Sequence, residues 1–135
     1  MCSATGIGQG VGVRIVRLDI ASATSIEAFG SVGAASIRVA DGNGEAHVYV
    51  VRFEPGGIIG PHVAGFGQLL IPTMGSGWVA GEDGVRVSVS PGAGGFIAKG
   101  ETHSKGSEVG MTALMIQVSD LAPDGERLTR PPGSG

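Results

Sequence analysis

Aromatic residues are scarce: one Trp, one Tyr and four Phe make up 4% of the 135 residues. Any core is therefore built mostly from Val, Ile, Leu, Ala and Met. Cysteine occurs once, at Cys2, which excludes an internal disulfide. Positive charge is short as well. The net charge is −3 and no basic patch exists, so a nucleic-acid partner is not expected. No apolar run is long enough to span a bilayer, so no membrane partner is expected either. The stretch Met1–Gly10 lacks the basic start and apolar centre of a signal peptide, and a cytoplasmic location is expected. Nucleophile elbows and P-loops are missing, and the glycine pair Gly6 and Gly8 does not sit between a strand and a helix.

Glycine is what the chain has in excess. Its 26 glycines follow no collagen period and fall between short apolar runs. That pattern predicts many turns and short strands, about ten of them, and so a sandwich or barrel. Strands are expected over Val13–Ile20, Ala34–Val39, Ala46–Phe53, Ile58–His62, Gln68–Thr73, Trp78–Ala80, Val85–Val89, Phe96–Ala98 and Met111–Val118. Asp41-Gly42-Asn43-Gly44 reads as a hairpin turn, and Gly81-Glu82-Asp83-Gly84 as a second. Pro91–Gly95 reads as another turn, and Pro72 as an edge or a bulge, because proline cannot donate to a ladder. The length fits one domain, with a flexible N-terminus over 1–12, the barrel over 13–121 and a polar Pro/Gly-rich tail over 122–135.

Two spaced motifs sharpen this. The first is Gly56-x5-His62-x-Ala64-x3-Gln68-x6-Gly75. The second is Gly92-x5-Ala98-x-Gly100-x2-His103-x3-Ser107. The chain resembles the cupin family, whose motifs run G-x5-H-x-H-x3-E-x6-G and G-x5-P-x-G-x2-H-x3-N. Every glycine and both outer histidines fall in register. The resemblance covers about Ala34 to Ser119 and implies an all-β, double-stranded β-helix (jelly-roll) cupin barrel. The departures are Ala64 where the family has its second His, Gln68 where it has Glu, Ala98 for Pro and Ser107 for Asn.

In the family these positions hold a divalent metal. Carried over, the resemblance leaves His62, Gln68 and His103 as metal ligands, and the implied cofactor is zinc, iron, manganese or nickel. Ala64 supplies no ligand. Two neutral imidazoles and an amide oxygen carry no negative charge to offset a dication, and an iron triad lacks its carboxylate. Glu101 lies two residues before His103. In an extended segment it shares the His103 face and could supply the lost carboxylate. Tyr49 and Trp78 offer aromatic surface, either as a ligand-stacking wall or as core filling.

Two functional readings follow. In the first, the chain binds a small molecule in the barrel cavity, with Tyr49, Gln68, Trp78 and Glu101 as ligand-binding residues and metal binding weak or absent. In the second it is a cupin enzyme using His62 and His103. That would be acid–base chemistry of isomerase, cyclase or lyase type, or a metal-dependent dioxygenase. The resemblance also implies a homodimer.

Overall fold

The computed structural model describes residues 12–21 and 23–129. Cys2, the first eleven residues of the expected N-terminal segment and residues 130–135 of the expected tail lie outside them. The strands are β1 (Arg14–Arg17), β2 (Thr24–Ser25), β3 (Ala35–Ser36), β4 (Ala40–Phe53), β5 (Ile58–Val63) and β6 (Gly67–Gly75). They continue with β7 (Gly77–Ala80), β8 (Arg86–Val89), β9 (Ala93–Ile97), β10 (Thr102–Gly106), β11 (Met111–Pro123) and β12 (Leu128–Thr129). The fold is all-β. One sheet has the order β12-β1-β9-β6-β11-β4, a second β5-β10-β7-β8, and β2 pairs only with β3. The pairings between strands are antiparallel.

The main core lies between the two larger sheets. Phe53, Leu70, Ile97, Met111 and Ala113 come from one side, and Val79, Val87 and Val89 from the other. Strand alternation delivers them: Val87 and Val89 are buried while Arg86 and Ser88 are exposed. A second cluster of Val16, Leu69 and Phe96 sits on the opposite face of the six-stranded sheet, covered by Leu18, Leu121 and Leu128. The same alternation separates Leu69 from its buried neighbour Leu70.

Local turn signals are overridden in places. Asp41–Gly44 forms no hairpin turn. β4 runs straight through it, because β11 is long enough to pair along nearly all of β4. A bulge between Val118 and Asp120 absorbs the irregularity. The turn expected at Pro91–Gly95 is shorter, closed by Ala93 N–H donating to Ser90 O at 2.8 Å, and β9 starts at Ala93. The end of the chain is not simply a tail. Leu128 and Thr129 pair with β1, and Asp124 caps the short 3-10 turn Gly125–Arg127 by accepting from Glu126 N–H at 2.9 Å. Pro72 does mark a bulge, at the Thr112/Ala113 register shift, beyond the point where β9 stops pairing with β6. Gly75 has φ +75°, and a Cβ there would run into the carbonyl oxygen of Gly110. Only glycine fits that corner. No helix among the described residues is long and apolar enough to cross a membrane.

Candidate functional site

The two motifs meet because their turns are stitched together. Gly100, at φ +90°, closes the turn after β9, where Glu101 N–H donates to Ala98 O at 3.1 Å. Gly100 N–H donates to Ala64 O at 2.8 Å, and Ala64 N–H donates to Glu101 O at 2.9 Å. This lays β5 beside β10 with His62 opposite His103. At the far end Ser107 locks the other corner. Its hydroxyl donates to Ser76 O at 2.6 Å and accepts from Gly110 N–H at 2.8 Å.

The two imidazoles lie 4.4 Å apart between ring centroids, tilted by 56°. His62 is exposed at the rim, and its Nδ1 is 2.9 Å from Gly60 O. A carbonyl only accepts, so Nδ1 carries the proton there. His103 is 1% exposed. Its register shifts before Lys105, which faces Ile59 on one side and Val79 on the other. The Lys105 side chain is also 1% exposed. Its Nζ lies 3.2 Å from His103 Nδ1 and 3.4 Å from Gln68 Oε1. Gln68 is itself buried, on β6 between Ile97 and Gln117. An amine donating to Nδ1 leaves the His103 proton on Nε2, and that buried nitrogen has no hydrogen-bond partner among the described residues.

Burial sets the charge states. It pushes His103 down to about 4, helped by the neighbouring Lys105 and then by His62. It pushes Lys105 down to about 8. Near neutral pH the cluster is thus a neutral imidazole beside a buried ammonium.

The other expected residues lie elsewhere. Ala64, at the second-His position, is buried in the main core. Glu101 is not a ligand group at this site. Its Oε1 accepts from Ala98 N–H at 2.9 Å and its Oε2 from Gly12 N–H at 2.7 Å, so the carboxylate clamps two backbone segments. It sits in the turn before β10, where the extended alternation that would put it beside His103 does not apply. Trp78 is not part of the cluster either. Its neighbour Val79 points at the core opposite Lys105, so alternation turns Trp78 to the outer face. There the Arg86 guanidinium lies 3.9 Å over its ring. Tyr49 is 48% exposed and lies near His47, with 6.3 Å between ring centroids. β11 separates it from β6. Among the described residues, surface hollows of about 270–330 Å³ lie by Asp41 and Asp120, by Arg52 and Met74, and by Trp78 and Arg86, away from His62, Gln68, His103 and Lys105.

Lys105 was missed in the sequence although one signal was there. It stands two residues after His103, and the same-face argument applied to Glu101 on one side applies equally on the other. Its presence decides the fit of a metal. Gln68 Oε1 is turned to an amine, and so is His103 Nδ1, which leaves only Nε2 of that ring without a partner among the described residues. An ammonium beside a dication repels it, and no group of three or more His, Cys, Asp or Glu among the described residues could hold a metal ion. The donor set does not fit a divalent cation.

Two facing antiparallel sheets with the motif turns joined at one end define a double-sheet β-barrel. It is the cupin fold. Two solved structures that it resembles carry that description. A cupin 2 domain-containing protein from Halorhodospira halophila matches with a TM-score of 0.53 and 17% identity, over 90% of this chain and 82% of that one. A cupin superfamily protein from Desulfitobacterium hafniense matches with a TM-score of 0.52 and 12% identity, over 66% of this chain and 84% of the other. No protein-family model and no curated protein matches the sequence. Likeness at this identity carries the fold and no chemistry.

Proposed function

We propose that this is a cupin-fold protein that binds a small molecule inside the barrel at the His62–His103 end, without a resident divalent metal. The observation that carries the reading is the buried cluster of Lys105 Nζ, Gln68 Oε1 and His103, in which His103 Nε2 has no partner among the described residues. Buried polar atoms are nearly always hydrogen-bonded, and an orphan of this kind calls for an explanation. A ligand acceptor at Nε2 supplies it. Metal content by mass spectrometry, on protein purified without chelator or affinity metal, tests the metal-free part. Substoichiometric metal, unchanged in His62→Ala, is expected. One metal per chain that disappears in the variant would refute it.

A second reading is acid–base catalysis. His103 is held neutral and His62 stands exposed at the rim, so the pair could pass a proton to or from a bound substrate. A homodimer belongs to the proposal as well. Val48 and Val50 are 64% and 71% exposed on one face of β4, beside Ile116 and Leu114 of β11. A partner's sheet would cover that apolar surface. A cytoplasmic location fits a chain whose single cysteine, Cys2, has no internal partner.

A further inference from the structure

We infer that Lys105 is an anion receptor: its buried ammonium takes the carboxylate of a small aliphatic acid that enters past His62. This deepens the small-molecule reading above and rests on it.

Buried lysines are almost always paired with an opposite charge. Lys105 is 1% exposed, yet none of the ion pairs among the described residues includes it. Its two acceptors are neutral, and both contacts, at 3.2 and 3.4 Å, are long for hydrogen bonds. An ammonium has three N–H groups, so at least one is left over. His103 Nε2 adds a second buried donor without a partner among the described residues. Among the described residues the cluster therefore offers donors and one positive charge and no negative group paired with them. A ligand that completes it accepts hydrogen bonds and carries one negative charge.

The surroundings choose among anions. Ile59 and Val79 face Lys105 from the flanking strands, and Leu70 and Ile97 belong to the same core. Apolar walls suit an aliphatic body. A phosphate would bring a second negative charge beside a single cation, and an unmatched buried charge is costly. A monocarboxylate leaves none. The way in is the rim at His62, an exposed ring lying over buried His103 and tied down by one bond to Gly60 O. On this inference, a rotation of that side chain admits the acid to the cluster.

Thermal unfolding of the full chain near pH 7 tests this. The probes are sodium propionate, sodium chloride at the same ionic strength, and propionamide at the same concentration. With propionate at about ten times its Kd, a Tm rise of roughly 5 °C is expected for the wild type. Chloride and propionamide should do far less. Lys105→Met should abolish the propionate shift while circular dichroism shows the fold intact, and Lys105→Gln should do the same if the methionine variant fails to fold. A propionate shift that survives both substitutions would overturn the inference. Equal shifts from propionate and propionamide would overturn it too, but would leave small-molecule binding standing. No shift from either probe would count against both.

Discussion

Replacing Lys105 with methionine separates the burial of a charge from the loss of its contacts. The ammonium is fully buried, and burial lowers its pKa from 10.5 to about 8. At about 1.4 kcal/mol per pH unit, that interval corresponds to about 3 kcal/mol of stability withheld while the group is charged in both states. The sign follows from proton counting. Between about pH 8 and 10.5 the unfolded chain still holds the proton and the folded chain has released it, so stability rises with pH across that window. Below it the penalty is present in full. Lys105→Met removes the penalty and leaves Gln68 Oε1 and His103 Nδ1 without a donor, which costs about 1–3 kcal/mol at every pH. The two effects come close to cancelling near neutrality. The diagnostic is therefore the difference between the proteins as pH changes. The variant's advantage should shrink by about 3 kcal/mol from about pH 7 to about pH 11. Urea unfolding of both proteins, followed by circular dichroism, measures it. Parallel stability curves over that range would show that the Lys105 ammonium is solvated, and the buried-cation argument would fall.

On the acid side, His103 takes up its proton only near pH 4, whereas an unfolded histidine does so near 6.5. Stability should fall by about 3 kcal/mol as pH drops through that window, and His103→Gln should flatten this limb in the same urea titration. Gly75→Ala forces a side chain onto a positive φ and into the Gly110 carbonyl, so a loss of about 3 kcal/mol is expected from the urea midpoint. Val50→Asp places a charge on an exposed strand position and should change single-chain stability by no more than about 0.5 kcal/mol. It should nevertheless halve the mass seen by light scattering. A one-chain mass for the wild type would refute the dimer.

Much of the architecture was legible in the chain. Gly56, Gly75, Gly92 and Gly100 stand at corners where φ is positive, and that requirement gives the motif spacing its physical content. Within β8 the alternation of apolar and polar residues matches the burial, with Val87 and Val89 inward and Arg86 and Ser88 outward. The strand register sets His62 opposite His103, the two histidines that the resemblance singled out. What failed were inferences that treated a local signal as final. Asp41–Gly44 looks like a turn, but a long partner strand offers it hydrogen bonds along its whole length, and those outweigh the turn preference. Glu101 looks like a stand-in ligand, but two unpaired backbone N–H groups claim its oxygens first.

Composition, glycine spacing and apolar alternation are local properties, and they were enough to determine an all-β sandwich or barrel, while the likeness of the two motifs to the cupin pattern singled out His62 and His103. The state of that site was decided elsewhere. A bulge between His103 and Lys105, together with the pairing of β10 with both β5 and β7, brings a lysine amine against Gln68 from a strand 37 residues away. Burial and electrostatics depend on which distant groups share a volume, and no spacing along the chain states that. Only the tertiary structure put a cation among the donors that the sequence had suggested for a metal.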